Sequence, residues 1–293
     1  MDLKKKRWYI LAASCLINLC IGSLYAWSVF ATPMATHLST LLGLAGDKAL
    51  TAGSLAMVFT VANAVGPITL ISGGAINDRL GPKWVIFTGG VLFGAGMVLS
   101  GFSRSVPMLI LGYGILCGLA MGLVYGSTVG NAIKFFPDRR GLVGGIAAAS
   151  YGLSSVVVPP IANGLIDALG VVAAFILLGC VFLLVICLCS FFIQKCPAGY
   201  CPDGWTPPQT AGRPSKDKIW KQMLADPIFY VMLLMLCCGA FFGLMTISQV
   251  SPIAQKMMGM TTGAATLMVS VLALFNTAGR VVCGYISDKF GRI

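Results

Sequence analysis

Glutamate is missing altogether from this 293-residue chain, and histidine occurs once. The nine acidic residues are all aspartates: Asp2, Asp47, Asp78, Asp138, Asp167, Asp203, Asp217, Asp226 and Asp288. Charge of either sign is scarce, at 10% of residues, where soluble domains carry about a quarter. A chain so poor in polar surface cannot cover a water-facing globule. The acidic shortage excludes chemistry as well. Hydrolases and acyltransferases at membrane depth need a nucleophile with a base, or a set of metal ligands. His37 is the sole histidine, and every aspartate falls in a tail, a loop or a helix end. No enzyme is expected, and no metal or cofactor.

What the chain does contain is apolar: 57% hydrophobic residues and a mean hydropathy of +0.89. Runs long enough to cross about 30 Å of hydrocarbon recur from end to end. Eight spans are expected, near 8–31, 50–76, 84–103, 106–134, 142–166, 170–194, 227–254 and 262–286. KKKR ahead of the first run, with ATPMA beyond it, resembles a cleaved signal. The run is longer than the apolar core of such a signal and further spans follow at once, so an uncleaved helix is the better reading. The fold class is an all-α integral membrane protein.

A net charge of +11 raises the question of nucleic acid. The basic residues instead form short clusters between apolar runs, which sets topology. One set of connections holds Lys4, Lys5, Lys6, Arg7, Arg79, Lys83, Lys134, Arg139, Arg140, Lys195, Arg213, Lys216, Lys218, Lys221, Lys289 and Arg292. The alternate connections hold only Lys48, Arg104 and Lys256. This asymmetry places the N-terminus and the ends of the even-numbered spans in the cytoplasm. The lipid bilayer is therefore a partner, and nucleic acid is not. Most of the eleven cysteines lie inside apolar runs and act there as small hydrophobes. Cys196 and Cys201 in KCPAGYCPDGW lack a second ligand pair and read as unpaired thiols.

That same Pro/Gly-rich, charged segment separates two helical regions. The expected organisation is a six-helix bundle over 1–194, a cytoplasmic linker over 195–226 and the first two helices of a second bundle over 227–293. GGAINDRLGPK after the second span and CGYISDKFGRI at the end of the chain repeat one pattern. Gly74 matches Gly284, Asp78 matches Asp288, Arg79 matches Lys289 and Gly81 matches Gly291, with Lys83 and Arg292 supplying further cations. A similarity between halves suggests two homologous bundles. In each copy the glycine permits close helix approach, and the aspartate can hold a cation or cap an adjoining helix. Two readings fit: a charged latch that opens and closes as a gate, or a topological anchor.

The doubled motif resembles the loops between helices 2 and 3 and between helices 8 and 9 of the major facilitator superfamily. Four segments are similar, more narrowly, to the oxalate/formate antiporter family: RWYILAASCLINLCIGSLYAWSVF, NAIKFFPDRRGLVGGI, CPAGYCPDGW and FNTAGRVVCGYISDKFGR. The resemblance implies twelve helices in two six-helix halves, of which about eight are present, with position 293 falling after helix 8. On this expectation the chain is truncated and does not transport alone. It also implies a cell (inner) membrane location and a monomer.

Arg280 is the single basic residue inside a span. A guanidinium there costs about 2.5–3.5 kcal/mol on insertion scales, so such residues usually face a cavity or a partner charge. Asn276 and Thr277 share its helix face. Snorkelling to the nearby helix end is the competing reading. An internal cation with no built-in carboxylate favours an anionic substrate, because a planar carboxylate pairs with guanidinium in bidentate fashion. Tyr25, Tyr125 and Tyr151 each lie in a span beside small residues. They read either as packing residues or as hydrogen-bond donors to a carboxylate, with Trp27 a weaker companion. The family resemblance implies a substrate-binding arginine at the position of Arg280 and cavity-lining tyrosines at those of Tyr25, Tyr125 and Tyr151. Trp8, Tyr9 and Trp84 read as interface anchors.

Gly114, Gly118, Gly122, Gly126 and Gly130 form a stripe for close packing, static or sliding. Pro67 and Pro159–Pro160 are expected to bend their helices. KFFPDRRG (134–141) is a cytoplasmic turn with cations suited to anionic headgroups. The function expected is a secondary transporter, antiporter or facilitator, of small carboxylates such as oxalate or formate, working by alternating access. The alternatives are a pyruvate- or lactate-like monocarboxylate transporter and a non-transporting carboxylate sensor on the same scaffold.

Overall fold

A computed structural model of the chain describes residues 3–197, 199–202 and 220–290. Most of these residues are helical, with no strand among them. Helix α1 (Leu3–Ile21) passes through a 3-10 turn, Gly22–Ala26, into α2 (Trp27–Leu41). Helix α3 (Ala56–Leu80) stops at Gly81, whose φ of 83° suits only glycine. Pro82 opens α4 (Pro82–Gly101) at its first position, where the missing N–H costs nothing. Helix α5 (Val106–Leu109) widens into π-helical winding over Ile110–Cys117 and continues as α6 (Gly118–Phe135).

Helix α7 (Arg140–Phe192) has 53 residues, a run of about 80 Å that exceeds one bilayer crossing. It is broken at Gly170, where φ is 83° and ψ 164°. The two expected spans at 142–166 and 170–194 are thus two helices that meet directly at this glycine. Short α8 (Trp220–Leu224) lies inside the segment read as linker. Helix α9 (Pro227–Lys256) is capped by Asp226, whose carboxylate accepts from Ile228 N at 3.1 Å. Helix α10 (Thr262–Phe290) is the last described. By length and composition, five of the described stretches can cross a membrane: Lys5–Leu41, Ala56–Leu80, Pro82–Gly101, Val106–Phe135 and Arg140–Phe192.

The chain forms two compact units. Residues 1–202 and 276–293 make one, and residues 203–275 the other. The first contains the candidate site. Its helices meet through glycine. A Cβ at Gly118 would lie 2.6 Å from the Ala62 carbonyl, and one at Gly122 would strike the Gly66 carbonyl, so α6 lies directly on α3. Thr69 Oγ1 adds a 2.9 Å bond to the Leu119 carbonyl across that contact. Four members of the predicted stripe therefore pack, while a side chain at Gly130 would meet nothing.

One end of the unit is tied by charge. Arg7 Nη1 donates to Asp138 Oδ1 at 3.1 Å, with both side chains largely buried. The Arg7 guanidinium also lies 4.6 Å from the Phe136 ring centroid. Beyond α7 the chain returns across this end: Asn131 donates to Gln194 O at 2.9 Å and accepts from Cys196 N at 3.3 Å. Burial pushes the Cys196 thiol up, with Lys134 opposing it. Both Cys196 and Cys201 are free thiols.

Candidate functional site

The 3-10 turn after α1 carries Tyr25, α6 carries Tyr125 and α7 carries Tyr151. Tyr151 is the middle of the three. Its ring centroid lies 5.3 Å from that of Tyr25 and 5.1 Å from that of Tyr125, both edge-to-face. Such pairs hold phenols in fixed relative orientation. Tyr151 is buried, Tyr25 is 39% exposed, and the Tyr151 hydroxyl donates to Met121 Sδ at 2.9 Å. The three tyrosines line a cavity of about 300 Å3 together with Arg280, Asn63 and Met121. Gly66 and Pro67 on α3 and Gly122 on α6 complete the wall, and small residues there leave the space open.

Arg280 enters this cavity from α10 although its side chain is exposed. Its Nε donates to Asn276 Oδ1 at 3.1 Å, one helical turn back. Its Nη1 donates to the Ala148 carbonyl of α7 at 2.9 Å. Gly152 lies against the guanidinium, where a Cβ would stand in ordinary contact at 3.8 Å from Arg280 Cζ. The structure therefore brings together all five residues singled out as binding: Arg280, Asn276, Tyr25, Tyr125 and Tyr151. Trp27 instead stacks on Tyr113, with centroids 4.7 Å apart, in the buried core.

Asn63 and Met121 went unnoticed in the sequence. A lone amide in an apolar span was a usable signal for Asn63, although its Nδ2 donates to its own helix at the Phe59 carbonyl, 2.8 Å away. Met121 gave no signal, because methionine in a span is ordinary core.

The two motif copies differ. In the second, Asp288 Oδ1 accepts from Gly141 N at 2.8 Å and Oδ2 from Leu142 N at 2.7 Å, so the carboxylate caps the start of α7. Gly284 faces the Gly141 carbonyl at a distance no side chain would tolerate, and Gly145 faces that of Arg280. Lys289 sits beside Phe290. Gly291 and Arg292 lie outside the described residues.

In the first copy, Asp78 caps no described helix. Its carboxylate lies 3.9 Å from Lys134 Nζ with both side chains exposed, and its backbone carbonyl accepts from Lys195 Nζ at 3.0 Å. A Cβ on Gly74 would meet nothing within 4 Å, so the expected close approach is absent there among the described residues. Gly81 serves the turn, Arg79 is exposed, and Lys83 lies 4.6 Å from the Phe191 ring centroid.

The profile of the Major Facilitator Superfamily matches residues 15–293. The chain belongs to that superfamily. Among its relatives within the Major Facilitator Superfamily is an uncharacterized MFS-type transporter of Escherichia coli (strain K12), YhjX. It is 28% identical over 290 residues, covering 99% of this chain and 68% of that protein. The oxalate:formate antiporter of Oxalobacter formigenes is 31% identical over 287 residues, covering 98% of this chain and 64% of the antiporter. Monocarboxylate transporter 11 of Mus musculus is 29% identical over 283 residues, or 96% of this chain and 59% of that protein. The chain thus spans about two thirds of the length of these relatives, all of which are named as transporters or antiporters rather than enzymes.

Proposed function

We propose that this chain carries the substrate site of a secondary transporter for small organic carboxylates, moved by exchange or facilitation through alternating access. One observation carries the reading: a guanidinium and three phenols from four separate helical segments line one small cavity. Arg280 uses part of its fork on Asn276 and Ala148, which leaves most of its five N–H donors for an anion. A carboxylate supplies the counter-charge that the spans lack, and a cavity near 300 Å3 stands at the small end for ligand sites. The phenols give hydrogen bonds to carboxylate oxygens while their rings shield the charge. Asn276 orients the guanidinium.

The oxalate:formate antiporter among the relatives supports a short di- or monocarboxylate. The monocarboxylate transporters among them favour a second reading, a single-carboxylate cargo, and one cavity cation suits that as well. In this proposal the N-terminus is cytoplasmic in a cell membrane, by the distribution of basic loops. The segment over 1–194 is one bundle, 195–226 a linker and 227–293 belongs to a second. The two motif copies act as gates at the cytoplasmic side.

The test is binding of oxalate and of formate to the chain in lipid, with Arg280→Lys and Arg280→Gln. Losing a charge-assisted, bidentate contact is expected to weaken affinity by about tenfold or more in Gln, with Lys intermediate. Unchanged affinity for both acids in both variants removes Arg280 from the site.

A further inference from the structure

Asn18 of α1 and Thr128 of α6 are wholly buried polar residues in an apolar bundle. Thr128 Oγ1 lies 2.7 Å from Asn18 Oδ1, closer than to the carbonyls of Val124 and Tyr125 in its own helix, at 2.9 and 3.0 Å. With one proton to give, the hydroxyl serves Asn18 best. Asn18 Nδ2 in turn donates to the Ala147 carbonyl of α7 at 3.2 Å. A single amide thereby joins α1, α6 and α7.

The levels it joins are the ones that matter to the cavity. Thr128 follows Tyr125 by one turn, and Ala147 precedes Tyr151 by one turn. In an α-helix the carbonyl of residue 147 also receives the backbone N–H of residue 151. The amide therefore grips the turn from which Tyr151 hangs, and the hydroxyl touches the carbonyl of Tyr125 itself. Tyr25 lies on the same chain segment, two turns beyond Asn18. Both Asn18 atoms are needed: the oxygen for α6 and the nitrogen for α7.

We propose that Asn18 and Thr128 are positioning residues, which fix the spacing of the tyrosine triad and through it the size of acid the cavity accepts. This rests on the reading of the cavity as a carboxylate site. Neither residue touches the cavity, so they act through Tyr125 and Tyr151. With the clamp intact the rings stay 5.1 and 5.3 Å apart and a longer acid is refused. Without it α6 and α7 are free to part by a fraction of an ångström, and the discrimination is lost.

The experiment uses the purified 293-residue chain in lipid nanodiscs, with oxalate and succinate as calorimetric probes and with tetranitromethane nitration mapped by mass spectrometry. The unaltered chain is expected to prefer oxalate by about tenfold, the scale of discrimination that added methylenes give. Asn18→Ala and Thr128→Val should shrink that preference to about threefold or less, while Thr128→Ser, which keeps the hydroxyl, retains it. Nitration of buried Tyr151, measured against exposed Tyr9, should rise several-fold in the first two variants and not in the serine variant. A preference unchanged in Thr128→Val overturns the proposal, as does Tyr151 nitration no higher than in the unaltered chain. If the unaltered chain binds neither acid, the carboxylate reading fails on its own and the nitration arm decides the positioning role. Should Asn18→Ala fail to fold, the Thr128 pair decides it.

Discussion

Gly284 and Asp288 on α10 are packed and bonded to backbone, whereas at the matching places of the same motif on α3, among the described residues, Gly74 meets nothing within 4 Å and Asp78 has only an exposed pairing with Lys134 for its carboxylate. Residue types alone do not make the latch. It requires a helix start whose first N–H groups are unpaired, and a glycine on that helix to meet the glycine of the motif. Arg140, Gly141 and Leu142 supply both for the second copy. For the first copy the nearest charged neighbours are lysines, Lys134 and Lys195, and a lysine offers a point charge without fixing a helix. The seam between α7 and α10 also reaches the cavity. Gly141, Gly145 and Gly152 on α7 face Gly284, Arg280 and Thr277 on α10, so the contacts that hold the cap also seat the guanidinium.

The largest expected effect breaks that seam. Gly284→Leu forces a side chain into the Gly141 backbone, and overpacking of this kind costs about 1–3 kcal/mol. Gly74→Leu should stay within about 0.5 kcal/mol, as surface changes do. Unfolding of the two variants in detergent measures the difference. Equal destabilisation would mean that the two copies are packed alike.

Next comes the cap. Asp288→Ala removes two charge-assisted bonds to backbone N–H groups at the start of α7, an expected loss of about 1–2 kcal/mol. Asp78→Ala removes an exposed pair at 3.9 Å, where the expectation is about 0–0.5 kcal/mol. Hydrogen exchange at Gly141 and Leu142 gives a local check. Their amides should exchange faster in the first variant and not in the second.

Much of this was legible beforehand because membrane crossing is written in composition. Eight apolar runs gave the helices. The cost of a charge in hydrocarbon singled out Arg280, and helical spacing added Asn276. The motif leaves its aspartate two roles, cation partner or cap, and Asp288 takes the second. Three features were not legible, and each depends on geometry rather than on residue type. The 3-10 turn that carries Tyr25 follows from the contact of Gly22 with Tyr151 and Ser154 across α1 and α7. The direct meeting of the two helices within α7 depends on Gly170 at φ 83°, and many other glycines in this chain adopt ordinary helical angles. The inequality of the motif copies arises from what each faces, and one strand of sequence does not record its neighbours. Asn18 was passed over for a similar reason: an asparagine in a span announces a partner without naming it.

The smallest effect sharpens the comparison most. Lys134 stands 3.9 Å from Asp78 Oδ1, with 61% and 73% of the two side chains exposed. Holding two long exposed side chains together costs entropy that weak attraction in water barely offsets, so Lys134→Ala should change stability by about 0.5 kcal/mol or less. Raising the salt concentration in the unaltered chain should screen what little there is, while the Asp288 cap, part-buried and directed at backbone, should persist. The pair of results assigns the fastening to geometry rather than to charge. A Lys134→Ala loss as large as that of Asp288→Ala would show the first copy to be fastened too, through its lysine, and the contrast between the copies would then be one of chemistry instead of engagement.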